Sequence, residues 1–262
     1  MGQRFKDKVA FIIGGGRGMG RAIAEAFAAE GACVVISART EVFGRQTVAD
    51  FRARGYTASL VSGDIADRAA VRRMFEDAVA QHGRLDIVVN VAADAALGHV
   101  RDMEEDAYDY LIRSNVHALF WVARDAAPHL AKARDKGRLI YISSAAANRT
   151  FMPGLTAYAA TKAYLNHFAR GLAVELAPLG ILVNVVEPGM IETDRMQSHV
   201  TAEQAAAIAA GFPVPRPGQA SEIAAAVLFL AAPETLYITG SALLVDGGCS
   251  LVPMPGLSAR LT

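Results

Sequence analysis

Tyr158 and Lys162 stand four residues apart in the stretch Thr156-Ala157-Tyr158-Ala159-Ala160-Thr161-Lys162, whose composition reads as helix. On a helix that spacing puts both side chains on one face. A phenol titrates near pH ~10 in water and keeps its proton at neutrality, but a cation within roughly 4–6 Å stabilises the phenolate and lowers that value. A tyrosine and a lysine so placed can pass a proton to and from a substrate oxygen. The same spacing also fits an ordinary amphipathic helix with Tyr half buried and Lys in solvent, so the elements around the pair must decide between the two.

Upstream, residues 8–13 form a continuous apolar run that enters Gly14-Gly15-Gly16-Arg17-Gly18-Met19-Gly20, after which residues 21–27 follow a helical pattern and residues 32–36 resume as strand. This is a βαβ unit. A glycine turn between strand and helix lets backbone approach a pyrophosphate, and the helix N-terminus stabilises the charge. Gly14, Gly18 and Gly20 are assigned to that turn, with Arg17 and Met19 between them. At the tip of the second strand, where a carboxylate would accept from a bare ribose 2′-hydroxyl, the chain has Ala38 and then Arg39. Two guanidinium forks, Arg17 and Arg39, suit a 2′-phosphate, so the expected cofactor is NADP(H) rather than NAD(H).

Strand and helix continue to alternate: strand over 59–65, helix over 67–82, strand over 85–91, a long helix over 104–130, and strands over 138–144 and 181–186. Asp64 could bond an adenine amine or cap the helix that follows it. Asn90 lies where ligands bind in open α/β sheets. Asn115 interrupts a helical stretch, while His117 and His129 have no spacing that suggests a metal site. Ser143 and Ser144 close their strand at the same edge. Residues 190–217 read as a covering segment rather than core, and a last helix over 221–230 has Ser221 as its N-cap.

Composition narrows the partners. A chain of 262 residues that is 53% hydrophobic can bury one large α/β core, with no reason to divide residues 1–262 into two domains. Lys plus Arg equals Asp plus Glu at 26 each, so no net field draws the chain to nucleic acid or an anionic membrane, and a small-molecule partner is expected. Two cysteines are too few for a disulfide framework, which fits a reducing, cytoplasmic setting. The apolar run at 9–13 is too short for a signal peptide, Lys6 spoils a myristoylation signal after Gly2, and the run at 223–232 is about half the ~20 residues a bilayer needs. The protein is expected to be soluble.

Taken in order, the glycine turn, Asp64, Asn90, Asn115, Ser144, the Tyr158 and Lys162 pair, Asn184, Pro188-Gly189, Thr193 and Asp246-Gly247-Gly248 resemble the short-chain dehydrogenase/reductase family over nearly the whole chain. The resemblance implies an α/β, single-domain, Rossmann-type doubly wound parallel sheet of about seven strands flanked by helices. It also implies hydride transfer between a nicotinamide and a carbonyl or secondary alcohol. Tyr158 would exchange the proton, Ser144 would hold the substrate oxygen, Lys162 would lower the Tyr pKa and bond the nicotinamide ribose, and Asn115 would position a relay water. Gly14, Arg17, Gly18, Met19, Gly20, Arg39, Asp64, Ile65, Asn90, Tyr158, Lys162, Pro188, Gly189, Ile191 and Thr193 would hold the dinucleotide, Thr193 through its carboxamide.

The chain departs from the family pattern in three places. Ile13 replaces a Thr and Asn90-Val91-Ala92-Ala93 replaces Asn-Asn-Ala-Gly, so a looser cofactor loop is expected. Counting the family's interval back from Tyr158 lands on Ala145, and one inserted residue restores Ser144 in preference to Ser143. The apolar covering segment suggests a hydrophobic substrate, with Arg149 or Arg195 as the alternative for an anionic one. A homodimer or homotetramer built on the Asn115 and Tyr158 helices follows from the resemblance. The rival function is a non-catalytic dinucleotide-binding regulatory or scaffold protein; an epimerase or dehydratase would want a larger C-terminal region.

Overall fold

All five side chains of β1 (Val9–Ile13) are buried, which a strand covered by helices on both faces requires. β4 (Ile87–Asn90), β5 (Gly137–Ile142) and β6 (Ile181–Pro188) are buried throughout in the same way, whereas β2 (Cys33–Ala38) and β3 (Ala58–Ser62) are mostly buried and the short edge strand β9 (Ala242–Val245) is half buried. In the computed structural model, which describes residues 3–198 and 200–252, these seven strands form one parallel sheet in the order β3-β2-β1-β4-β5-β6-β9. The helices α1 (Gly18–Ala29), α2 (Glu41–Ala53) and α9 (Ala220–Ala231) cover one face, and α3 (Arg68–His82), α5 (Ala118–Leu130) and α6 (Thr156–Leu176) the other.

The period of two along each strand feeds both layers. Phe11 and Val35 pack with Phe75, Val122 and Leu172, whereas Ile12 and Ile36 pack with Phe27, Phe51 and Ile223. Strand order reverses beside β1, with β2 on one side and β4 on the other, which opens a crevice at the carboxyl ends of these strands. The expected α/β doubly wound sheet is therefore present, with Tyr158 and Lys162 on α6 brought to the same edge as the glycine turn.

Four local expectations change. Asp67, not Asp64, caps α3, accepting from Ala69 N, while Asp64 turns back on Ala66 N. The long helix over 104–130 is α4 (Glu105–Ile112) and α5 joined by a π turn at Arg113–His117, a widening that often accompanies a functional side chain. Ser221 is exposed, and α9 starts one residue earlier with Gln219 and Glu222 forming a capping box. The segment after β6 has its own order: β7 (Ile191–Glu192) pairs with β8 (Gly218–Gln219), α7 (Asp194–Gln197) and α8 (Ala202–Ala209) lie between them, and Phe212 is buried with Ala209 and Cys249. It carries a small core where only a surface cover was expected, because Phe212 finds partners distant in sequence.

Candidate active site

The glycine turn is set by close approach. At Gly20 a Cβ would stand 2.0 Å from the Gly14 carbonyl oxygen, and at Gly14, with φ at +88°, it would stand 2.9 Å from Ala92 N. Only glycine fits either place. Arg17 precedes α1 in an extended conformation and no described side chain caps that helix, so its first N–H groups are left for a ligand at the cleft that Gly18, Met19 and Gly20 line.

The looser loop expected from Ile13 and Val91 does not appear. The Ile13 carbonyl accepts from both Val91 N and Ala92 N at 2.9 Å, the Ser37 hydroxyl accepts from Gly14 N at 3.1 Å, and the Ser37 carbonyl accepts from Gly15 N at 3.0 Å. Backbone groups hold the two loops whatever side chains those positions carry. Ser37 was not anticipated, although a hydroxyl inside an otherwise apolar strand was its visible signal.

The cleft at this edge has a volume of about 520 Å³, within the usual range for a small-molecule site. Of the residues expected to hold a dinucleotide, Gly14, Arg17, Gly18, Met19, Gly20, Arg39, Asp64, Ile65 and Thr193 line it. Asn90, Tyr158, Lys162, Pro188, Gly189 and Ile191 do not. Asn90 is 2% exposed at the end of β4, and its Oδ1 has no hydrogen-bond partner among the described residues. Gly189 N bonds the Val245 carbonyl, and Ile191 is buried as it opens β7.

The groups that line the cleft form a charged rim. Arg17 lies over the Phe43 ring, 5.0 Å from its centre, and Arg39 lies over the Tyr110 ring at 5.7 Å while donating to its hydroxyl. Tyr110 in turn donates to Asp64, its oxygen 3.0 and 3.2 Å from the two carboxylate oxygens. Burial first, and then the Asp64 carboxylate, push the Tyr110 phenol above its ordinary value. Ser114, 1% exposed and with no described partner for its hydroxyl, also reaches the cleft. Tyr110 and Ser114 were missed, yet their spacing of four on a helix that holds Asn115 was readable.

Around Tyr158 the contacts join β5 to α6. Lys162 is 4% exposed, donates to the Ile142 carbonyl at 2.9 Å and places Nζ 5.6 Å from the centre of the half-buried Tyr158 ring. Ser143 is buried and its hydroxyl donates to the Lys162 carbonyl at 3.3 Å, tying strand to helix. Ser144 is half buried, and its oxygen accepts from Ala146 N at 3.1 Å at the head of the single helical turn Ala145–Ala147. That bond uses Ser144 as an acceptor and does not engage its proton.

The Asn115 side chain makes three hydrogen bonds that the sequence did not suggest. Its Oδ1 accepts from Asp94 N at 2.8 Å, and its Nδ2 donates to the Asp94 carbonyl at 2.8 Å and to Thr161 Oγ1 at 3.0 Å. It therefore clamps the loop after β4 to the Tyr158 helix, because an amide is the one neutral side chain that both accepts and donates twice. Arg149 changes role. Its Nε donates at 2.9 Å to Glu187, which is 1% exposed and also accepts from Asn166 at 2.5 Å, so this guanidinium is committed to a buried carboxylate rather than to an anionic substrate. The Arg195 side chain lies outside the described residues.

Known proteins are similar to this chain over most of its length. A family described as enoyl-(acyl carrier protein) reductase matches residues 14–250. The 3-oxoacyl-(acyl carrier protein) reductase FabG of Escherichia coli is 38% identical over 248 residues, which are 95% of this chain and 99% of that protein. A cyclopentanol dehydrogenase of Comamonas sp. is 35% identical, covering 94% of this chain and 98% of its own. A short-chain dehydrogenase of Burkholderia cenocepacia, solved in complex with NADP, superposes with a TM-score of 0.87 at 35% identity over 94% of this chain and 99% of that one.

Proposed function

The chain belongs to the short-chain dehydrogenase/reductase family, and from that premise we propose that it moves a hydride between NADP(H) and a carbonyl or secondary alcohol, with Tyr158 as the general acid and base. The observation that carries the reading is the buried Lys162 ammonium 5.6 Å from the centre of the Tyr158 ring. A cation held there stabilises the phenolate, which brings the phenol within range of proton transfer near neutral pH. Lys162 would also bond the nicotinamide ribose, so it is the phenol at its side, with Ser144 just past the end of β5, that favours catalysis over dinucleotide binding alone.

The division of labour follows from placement. Ser144 donates to the substrate oxygen, Tyr158 gives it the proton during reduction and takes it during oxidation, and Lys162 keeps the phenolate accessible in charge. Asn115 keeps α6 in register with the loop after β4. The α1 N-terminus and the glycine turn hold the pyrophosphate, Asp64 faces the adenine end, and Ile65 and Thr193 complete the bed for the rest of the cofactor. When bound, the nicotinamide supplies or takes up the hydride. Arg17 and Arg39, both on the cleft and with Ala38 where an acid would stand, favour the 2′-phosphate form.

The substrate side is apolar. Leu97, Phe151 and Met152 are exposed on two loops that the Gly98 N to Gly154 carbonyl bond holds together, which suits a hydrophobic ketone, ring or acyl chain. Thr193, Asp194 and Ser198 bring residues 190–217 to the cleft rim, as a segment that closes over the reactants must be. Exposed Phe120 on α5 and Tyr164 and Val174 on α6 give a face for assembly into a homodimer or homotetramer. Free Cys33 and Cys249 suit the cytoplasm.

The test is NADPH oxidation against a panel of hydrophobic ketones and aldehydes, with NADH in parallel. Turnover that is lost in Tyr158→Phe while NADPH still binds is the expected result. Equal turnover by that variant sinks the acid and base assignment.

A further inference from the structure

We propose that Tyr110 is the residue that sets cofactor choice, by holding the Arg39 guanidinium inside the cleft while its own hydroxyl donates to Asp64. This rests on the reading of the cleft as an NADP(H) site and adds a residue to which neither motif nor spacing had assigned a role.

Arg39 follows the last residue of β2, where its exposed stem would let the guanidinium swing through solvent. Two contacts restrain it: the charged head lies over the Tyr110 ring, 5.7 Å from its centre, and donates to the phenol oxygen. Cation over aromatic face and charge-assisted hydrogen bond act on the same head group. The phenol can serve as acceptor only if its own proton points elsewhere, and it is donated in a hydrogen bond to Asp64, whose carboxylate oxygens lie 3.0 and 3.2 Å from the phenol oxygen. Burial and the same carboxylate keep Tyr110 protonated, so the polarity of the relay is fixed.

All three residues line the cleft but come from different elements, the ends of β2 and β3 and the middle of α4. The relay therefore spans the part of the crevice where one strand tip meets the ribose and its neighbour meets the base. An arginine restrained beforehand forfeits less side-chain freedom when a phosphate arrives, which raises affinity for the phosphorylated nucleotide alone. A nucleotide without the 2′-phosphate gains nothing from it. Tyr110 acts through Arg39 and is thus a positioning residue for selectivity.

Tyr110→Phe keeps the ring and removes both hydrogen bonds. Calorimetric titration with 2′,5′-ADP and with 5′-AMP reads the effect without turnover. Wild type is expected to prefer 2′,5′-ADP; if it binds the two alike, the cofactor reading and this inference fall together. Given that preference, Tyr110→Phe should weaken 2′,5′-ADP about tenfold, equal to about 1.4 kcal/mol, and leave 5′-AMP within about twofold. In an Arg39→Ala background the same substitution should change neither. Unchanged or tighter 2′,5′-ADP binding, an equal loss with both nucleotides, or a full effect persisting without Arg39 overturns the role of Tyr110 while leaving the cofactor reading intact.

Discussion

The two edges of the sheet hold similar residue types and use them in opposite ways. At the amino edge, Asp86 pairs with Arg84 and accepts from Val9 N, Arg138 donates to the carbonyls of Lys136 and Ala232, and His82 sits between Cys33 Sγ at 3.2 Å and Ser59 Oγ at 2.7 Å. Cysteine, histidine and serine in a row resemble a nucleophilic centre. Burial, however, pushes the Cys33 thiol up and His82 down, so both stay neutral, and a reactive cysteine needs its thiolate. The space beside Asp86 and Arg138 is about 20 Å³, enough for about one water, against about 520 Å³ at the carboxyl edge. A cluster becomes a candidate site when its polar atoms face room for a ligand, and at the amino edge they face one another.

The largest effect that could break this contrast belongs to Tyr158→Phe, expected to lower kcat about 10³-fold with dinucleotide affinity within about twofold, as loss of a general acid and base requires. Steady-state turnover with a parallel binding titration reads it. Next comes the serine pair. Ser144→Ala should lower kcat about 10²-fold, the scale of one donor to a developing charge. Ser143→Ala should instead lower thermal stability by about 1 kcal/mol, because it loses the bond to the Lys162 carbonyl. A reversed pattern would move catalysis to Ser143.

A glycine at each edge sharpens the comparison further. Gly20→Ala meets the Gly14 carbonyl oxygen and should weaken dinucleotide binding at least about tenfold while costing about 1–3 kcal/mol of stability. Gly83→Ala, at φ +73° with open space around it, should cost about 1 kcal/mol and leave binding alone.

The smallest effect is on pH dependence. His82 has a lowered pKa in the folded chain, so the unfolded chain binds protons first as pH falls. Its contribution is present above the unfolded value of about 6.5 and is lost as pH drops through the folded one. Denaturant titrations of His82→Asn should show a shallower loss of stability below about pH 6.5 than wild type, with turnover per folded molecule unchanged.

How much of this was legible depends on range. The order of strands and helices could be read from apolar runs and glycine turns, because burial on both faces and close backbone approach demand particular residues locally. Nine of the expected dinucleotide-binding positions fell on the cleft for the same reason. The tightness of the loops at Ile13 and Val91 could not be read, since backbone carbonyls hold them and no side chain advertises it. The roles of Asn115, Arg149 and Tyr110 were hidden in partners 21, 38 and 46 positions away.

By itself, the sequence determined the parallel α/β architecture, the glycine bed and a phenol one helical turn from an ammonium, since each of these is a matter of local spacing and apolar periodicity. Only the tertiary structure decided that the ammonium is buried, that Asn115 is a clamp, that Arg149 is neutralised by Glu187, and that Arg39 is gathered in by Tyr110. Hydrogen bonds and ion pairs select partners by distance in space, and that distance exists only once the sheet has brought its strand ends together.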